Sequence, residues 1–123
     1  MTTTVSDRPA TRDRVIVLKS AEETAGEFFR CEYIARVVSA PPRDHIHTHQ
    51  EERLEVVEGI VRCRVAGKEY ALGPGKVMII APGTPHAVWN EDRGGSRSIS
   101  EYRPAMNAQA MFREYIVKET SRR

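Results

Sequence analysis

Hydrophobic and polar residues alternate along most of the chain with the period of two that is typical of half-buried β-strands. Between residues 28 and 38, for example, Phe29, Cys31, Tyr33 and Ala35 share one parity, and charged residues take most of the positions between them. Glycine and proline residues separate such segments. The pattern predicts strands at residues 14–18, 28–38, 52–56, 61–65, 69–72, 77–80, 86–90 and 97–103. Residues 77–80 are apolar throughout, so we expect both faces of that strand to be covered.

The C-terminal segment has a different period. Its apolar residues fit an amphipathic helix over residues 105–119: Met106, Met111, Phe112, Tyr115 and Ile116. Because no helices separate the strands, we expect an all-β sandwich or barrel and not a parallel sheet. We therefore expect a flexible N-terminal arm at residues 1–13, a barrel at 14–104, and a C-terminal helix and tail at 105–123 that pack on the barrel.

Composition narrows the classes of function. At 123 residues the chain has the size of one domain. Its net charge of +2 arises from interspersed charges of both signs, so we expect no nucleic-acid partner. No apolar run reaches the length of a membrane span, and the first residues lack the apolar core of a signal peptide. Two cysteines do not make a disulfide framework, so we expect a cytoplasmic protein without a membrane association.

The histidines carry the clearest chemical signal. His45 and His47 are two residues apart, so their side chains point the same way in an extended segment. Glu52 begins the next predicted strand with inward parity, and His86 begins a later strand that could lie across the barrel. Imidazole and carboxylate together suit a divalent transition metal, and four protein ligands leave two open positions on an octahedral ion. These four residues are therefore the predicted ligands of one metal site.

Two neighbouring residues compete with these ligands. His49 has the same parity as His45 and His47, but its place in a turn favours an exposed position or an indirect role. Glu51 competes with Glu52, which is favoured because it shares the inward parity of its strand. A His-x-His pair on its own often lies at the surface without binding a metal, so the prediction depends on all four residues together.

The spacing of these residues resembles the two motifs of the cupin superfamily, in particular those of small single-domain cupins of the conserved-barrel type. The first motif is matched by His45, His47, Glu52 and Gly59. The second motif is matched by Gly75, Gly83, His86 and Asn90. The chain departs from the motifs at Ser39, where they have glycine, and at Ala81, where they have proline.

This resemblance implies a small jelly-roll barrel in which His45, His47, Glu52 and His86 bind one divalent metal ion, with Fe, Mn, Ni and Zn as candidates. Strand parity then assigns the pocket lining. The inward residues are Phe29, Cys31, Tyr33, Leu54, Val56, Val61, Cys63 and Val88. Such a mostly apolar lining favours an aromatic or lipophilic small molecule over a phosphorylated sugar.

Other side chains could take part in the chemistry. Glu52 could remain a ligand or act as a general base, and Tyr33 could donate a proton or only pack. Arg43 could hold a substrate carboxylate at the pocket mouth or be a solvated loop residue. Cys31 and Cys63 could pair or touch the metal, or be small buried thiols.

The resemblance leaves two classes of function open, because cupins host very many reactions. The first is a metal-dependent enzyme that acts on a small, fairly apolar organic substrate, by dioxygenase chemistry or by non-redox cyclisation, decarboxylation or isomerisation. The second is a non-catalytic small-molecule-binding module. Relatives commonly pair their barrels, so a homodimer is expected, with apolar residues of outward parity at its interface: Phe28, Ile34, Val57 and Trp89.

Overall fold

The computed structural model describes residues 2–8, 13–112 and 117–120 of the chain. The elements in these ranges are β1 (Thr2–Arg8), β2 (Asp13–Lys19), β3 (Phe29–Ala35), β4 (Glu51–Glu58), β5 (Val61–Val65), β6 (Lys68–Leu72), β7 (Val77–Ile80), β8 (His86–Asn90), β9 (Ser96–Arg103), α1 (Ala108–Met111) and β10 (Val117–Thr120). Within the described ranges, no helix has the length and apolarity needed to cross a membrane.

The strands form two antiparallel sheets. The larger sheet has the strand order β10-β1-β2-β3-β9-β4-β7, and the smaller has the order β6-β5-β8. The two sheets face each other, because Leu54 and Val56 of the larger sheet pack in one buried cluster with Val61 and Cys63 of the smaller. The all-β architecture that the period-two alternation predicted is thus confirmed, as is a short C-terminal helix.

Alternation along the strands decides which side chains enter the core. In β4, Glu52, Leu54 and Val56 are buried, whereas the residues between them are partly exposed. A second cluster joins Phe29 of β3 to Ala108 of α1, so the helix is fixed against the larger sheet. Full burial of a large apolar side chain such as Phe29 or Leu54 stabilises the fold by about 1.5–3 kcal/mol.

The two ends of the chain differ from the sequence expectation. Thr2–Arg8, expected to belong to a flexible arm, forms β1 and pairs with both β2 and β10. The helix expected over residues 105–119 extends only over Ala108–Met111, and Val117–Thr120 is a strand; residues 113–116 lie outside the described part. Threonine and valine favour strands, and their pairing with a distant segment cannot be read from local periodicity.

The outer face of the larger sheet also differs from expectation. Val77 and Ile79 are 42% and 51% exposed, because β7 lies at the sheet edge with one face toward solvent. In the smaller sheet, Trp89, expected at a dimer interface, is buried within the chain and lies beneath the Arg64 guanidinium, whose Cζ is 5.6 Å from the ring centroid. Phe28 is similarly flanked by two arginines. Outward parity therefore does not ensure exposure.

Candidate metal centre

Backbone hydrogen bonds place the His-x-His segment beside β8. The His45 N–H donates to the His86 carbonyl at 2.8 Å, and the His86 N–H donates to the His45 carbonyl at 3.0 Å. Two residues further along, the carbonyl of His47 accepts a hydrogen bond of 2.9 Å from the N–H of Gly83. These hydrogen bonds hold the segment from His45 to His47 against β8 and the turn before it, with the His45 and His47 imidazoles on the same side.

The fourth side chain comes from the opposite sheet. Glu52, on β4, directs its carboxylate to the three imidazoles, and His45, His47, Glu52 and His86 each offer one ligand atom, all within 4.8 Å of one another. The ring centroids of the three histidines are separated by 4.3–5.1 Å. Ligand atoms bound to one ion at about 2.1 Å lie up to about 4 Å apart. The predicted residues therefore converge, and only a small contraction would be needed for a shared ion.

The proton on His86 is fixed by its second hydrogen bond. Nδ1 lies 2.8 Å from the carbonyl oxygen of Thr84, which can only accept, so Nδ1 carries the hydrogen. In the neutral ring the lone pair then lies on Nε2, which points into the cluster. Burial alone lowers the pKa of His86, but hydrogen bonds to Glu52 and Thr84 outweigh it and raise the pKa.

The carboxylate is kept ionised by its neighbours. Burial raises the pKa of Glu52, but the imidazoles of His47 and His86 more than reverse this effect and lower the pKa to about 2. His45 is the exposed member of the cluster. Although the residue is exposed, its ring is partly desolvated, and this desolvation together with the other two histidines lowers its pKa, which favours the neutral form that binds metals.

One nitrogen in the cluster lacks a hydrogen-bond partner. Within the described residues, Nε2 of His47 is buried and unpaired, since the nearest carboxylate oxygen of Glu52 is 3.6 Å away. A buried polar atom without a partner costs free energy, which a bond to a metal would recover. The donor set and this unpaired nitrogen both fit a divalent transition ion.

The competing residues lie outside the cluster. His49 is exposed, and Glu51 points to the other face of β4. Cys31 and Cys63 are fully buried free thiols in separate apolar clusters and do not belong to the group of ligand atoms. Burial raises the pKa of Cys31 to about 12 and that of Cys63 to about 11, so both remain protonated.

Three of the four candidate ligands, His45, His47 and Glu52, line a cavity of about 450 Å³ between the two sheets. Four of the side chains expected from strand parity line it: Tyr33, Leu54, Val61 and Val88. The other expected residues do not line it. Phe29, Cys31, Val56 and Cys63 are packed in the core clusters, and Arg43 is exposed in the loop before His45. Parity assigns a residue to the inner face but does not separate close-packed core from open cavity.

Tyr33 lies away from the metal ligands. Its hydroxyl donates a 2.6 Å hydrogen bond to Oδ2 of Asp13. In the register of the larger sheet, Glu52 of β4 is paired with Tyr102 of β9. Tyr33 of β3 is paired with Ser98, which lies four residues from Tyr102 on the same strand. Four residues of a strand span about 13 Å, so the Tyr33 hydroxyl lies at the end of the cavity that is far from the metal ligands. Catalytic roles for Tyr33 and Glu52 remain predictions.

Several residues of the site were missed in the sequence. Tyr102 is buried beside Glu52, with its ring centroid 5.9 Å from that of His47, and burial raises its pKa well above the usual value. Ser96, Ser98 and Ser100 line the cavity from the same strand. The sequence pattern that could have indicated these residues is the alternation in Ser96–Arg103, where serines and a tyrosine take every second position. No local pattern indicated that these inward positions faced open space.

The family of the chain follows from these residues and from comparison. The family Cupin_2, described as a cupin domain, matches residues 36–97, a range that contains all four candidate ligands. The chain therefore belongs to the cupin family, and its fold is the cupin jelly-roll barrel. No curated protein shows a significant sequence match to it.

Solved structures with the same fold have diverse roles. A predicted oxalate decarboxylase from Thermotoga maritima is 16% identical, with a TM-score of 0.69 over 75% of this chain and 80% of that one. The polyketide cyclase RemF from Streptomyces resistomycificus is 20% identical, with a TM-score of 0.62 over 74% and 64%. The cupin domain of an XRE-family transcriptional regulator from Enterobacter cloacae is 21% identical, with a TM-score of 0.62 over 74% and 95%. At such identities these similarities show the fold alone.

Proposed function

We propose that this chain is a metal-dependent enzyme that acts on a small, fairly apolar organic molecule in the barrel cavity. In this proposal, His45, His47, Glu52 and His86 hold one divalent transition ion, with Fe, Mn, Ni and Zn as candidates. The observation that carries it is the convergence of four ligand atoms, three of them from residues that line a cavity of about 450 Å³. A structural site is closed by its own ligands, whereas this cluster faces a space large enough for a substrate.

When bound, such an ion supplies Lewis-acid or redox chemistry to an oxygen atom of the substrate. The residues of the chain prepare the site in three ways. The Thr84 carbonyl keeps the His86 proton on Nδ1, and the low pKa of Glu52 keeps its carboxylate ionised at neutral pH. Leu54 and Val88 provide apolar walls beside the ligands, which favour substrate over water.

Redox and non-redox chemistry both fit this donor set. An iron-loaded protein would support dioxygenase chemistry, whereas a zinc- or nickel-loaded protein would support cyclisation, decarboxylation or isomerisation. Among structures with the same fold, a polyketide cyclase and a predicted decarboxylase agree with the non-redox class. In either class, Glu52 contributes as a ligand, and its use as a general base is a second possibility for the same carboxylate.

The proposal is tested by stripping the protein with a chelator and reloading it with each candidate metal in turn. Turnover of a panel of small aromatic phenols and ketones is followed by mass spectrometry, with oxygen uptake recorded for the iron form. His86→Ala should abolish turnover, whereas His49→Ala, a matched change at an exposed histidine outside the cluster, should preserve it. Turnover that persists in the stripped protein, or that both substitutions reduce equally, would contradict the proposal.

The alternative is a non-catalytic small-molecule-binding module. It is favoured by one observation, the similarity in fold to a cupin domain of a transcriptional regulator. Metal analysis of protein purified without chelator separates the two functions. Saturable ligand binding by a protein that holds no transition metal would support the module, and a metal requirement for turnover would exclude it.

A further inference from the structure

Three serines form one wall of the barrel cavity. Ser96, Ser98 and Ser100 occupy alternate positions of β9 and line the cavity, with exposed fractions of 6%, 7% and 7%. We call these residues the serine wall. Alternate residues of a strand are about 6.6 Å apart, so the wall extends about 13 Å. It begins next to Tyr102, at the level of Glu52, and leads away from the metal ligands.

Two hydroxyls of the serine wall are available to a ligand. Ser100 lies close to the Tyr102 hydroxyl, on whose pKa it has a lowering effect. Ser96 and Ser98 are buried residues. Within the described part of the chain, neither hydroxyl makes a hydrogen bond to another residue. Both hydroxyl oxygens remain accessible from the cavity. A buried hydroxyl without a partner costs free energy, so these two groups need water or ligand oxygens. Apolar residues at these positions would stabilise the barrel better, which points to recognition as their role.

The opposite side of the cavity is mostly apolar. Val61 of β5 and Val88 of β8 belong to the smaller sheet and face the larger sheet across the cavity, and Asn90 of β8 is the polar residue of this sheet among the described lining residues. Phe112, which follows α1, lines the cavity beside the larger sheet, and its ring centroid lies 5.9 Å from that of Tyr102. The cavity therefore has a hydroxyl-bearing wall that faces a mostly apolar one, an arrangement that suits a flat molecule.

The charges along the cavity disfavour an anionic ligand. Among the described lining residues, the acidic side chains are Glu52 at the metal end and Asp13 at the far end. Asp13 lies beside Tyr33 and accepts its hydroxyl hydrogen. The described lining residues include no lysine or arginine, so a negative charge on a ligand away from the metal would find no basic side chain in this poorly solvated space.

We infer that the serine wall selects the substrate class: flat, elongated, uncharged molecules with hydroxyl or carbonyl oxygens along one edge, such as polyhydroxylated fused-ring aromatics. The oxygens bind Ser96 and Ser98, and the ring face packs on Val61 and Val88. This inference rests on the proposed function, because it takes the metal-lined cavity as the substrate site. It goes beyond that proposal in assigning specificity to residues that are not metal ligands.

The experiment uses three naphthalene probes of equal ring size with chelator-stripped protein. They are 2,7-dihydroxynaphthalene, naphthalene-2,7-dicarboxylate and naphthalene, whose intrinsic fluorescence reports binding. The two hydroxyls of the diol lie on one edge of the molecule but on different rings, so they can face two serines together and are too far apart to chelate a metal. The proteins are the wild type, the double variant S96A/S98A, and Ser20→Ala as a control at a serine outside the cavity. Thermal unfolding establishes that each variant is folded.

The wild type should bind the diol at least about tenfold more tightly than the dicarboxylate. The double variant should lose about tenfold in affinity for the diol and less than about twofold for naphthalene, while Ser20→Ala changes neither. Equal losses for diol and naphthalene, a dicarboxylate that binds as tightly as the diol, or no saturable binding of the diol would overturn the inference. Metal content and turnover are measured separately, so failure of the metal-dependent function is distinguishable from failure of the serine wall.

Discussion

Nε2 of His86 lies 3.1 Å from Oε1 of Glu52, although the two residues belong to different sheets. The contact joins β8 to β4 at the cavity, and both side chains are buried, with exposed fractions of 1% and 4%. A carboxylate in such a place needs a positive or hydrogen-bonding partner. In metal-free protein His86 provides it when its ring is protonated, by donating from Nε2, and in metal-loaded protein both atoms would bind the ion.

The stability of metal-free protein should depend on pH through this pair. The pKa of Glu52 falls from 4.5 to about 2 on folding, so its contribution is present above pH 4.5 and is lost as the pH falls toward 2. The pKa of His86 is raised above 6.5, so its contribution is present below pH 6.5 and is lost as the pH rises through the folded-state value. The pair therefore stabilises metal-free protein most between these limits.

Chemical denaturation across pH checks this prediction. Between about pH 6 and pH 3, wild-type metal-free protein should lose on the order of 2 kcal/mol more stability than Glu52→Gln, whose amide does not titrate. Parallel pH profiles for the two proteins would show that the carboxylate contributes no such dependence.

The glycine that ends the first motif should be intolerant of a side chain. Gly59 has a φ of +78°, and a Cβ there would collide with the carbonyl oxygen of Gly95. Gly67 is a matched control, because its φ is +82° but nothing lies within 4 Å of the place a Cβ would take. Gly67→Ala should cost about 1 kcal/mol from the left-handed backbone alone. Gly59→Ala should cost about 3 kcal/mol or more, because the collision adds to this strain.

Denaturant midpoints of the two variants measure this difference. Similar losses of stability in both would mean that the approach of Gly59 to Gly95 does not constrain the fold.

The two cysteines should be unreactive in the folded protein. Cys31 and Cys63 are fully buried, and burial raises their pKa values to about 12 and about 11, so the reactive thiolate is scarce at neutral pH. A disulfide reagent that releases a coloured thiol at about pH 8 should label neither residue rapidly in native protein. In denaturant it should label both. Rapid native labelling of either cysteine would contradict the packing described here.

We still predict a homodimer, but we propose a different interface. Instead of the surface around Phe28 and Trp89, the interface would be the edge of the larger sheet. Val57, Val77 and Ile79 are 36%, 42% and 51% exposed on β4 and β7. Exposed apolar residues on an edge strand favour association. Light scattering at micromolar concentration should give the mass of a dimer, and Ile79→Lys should give that of a monomer. A monomeric wild type would refute the prediction.

The sequence predicted the core of the site because metal ligands must meet strict geometric needs. Few arrangements allow side chains with this spacing to converge: His45 and His47 are two residues apart, and Glu52 begins the next strand. The structure brings these three residues together with His86. The serine wall was not foreseen, since alternation in β9 indicates which side chains point inward but not what lies opposite them. The boundary between packed core and cavity depends on contacts between distant segments.

The departure from the motifs at Ser39 has a structural explanation, whereas nothing in the structure explains the alanine at position 81. At Ser39 the backbone N–H donates to the Asn90 carbonyl at 3.1 Å. Ser39 is not among the residues with positive φ in the described ranges, so glycine is not required at position 39. Gly59 differs, because both its φ and its contact with Gly95 require the absence of a side chain.

Elemental analysis of protein purified without chelator shows whether His45, His47, Glu52 and His86 bind a metal ion. Wild type and His49→Ala should each hold about one transition ion per chain, and His86→Ala and Glu52→Ala should hold far less. The ion found would also distinguish the redox from the non-redox class of reaction. A wild-type protein that stays metal-free after exposure to each candidate ion, or a His86→Ala variant that binds as much metal as the wild type, would contradict the central claim.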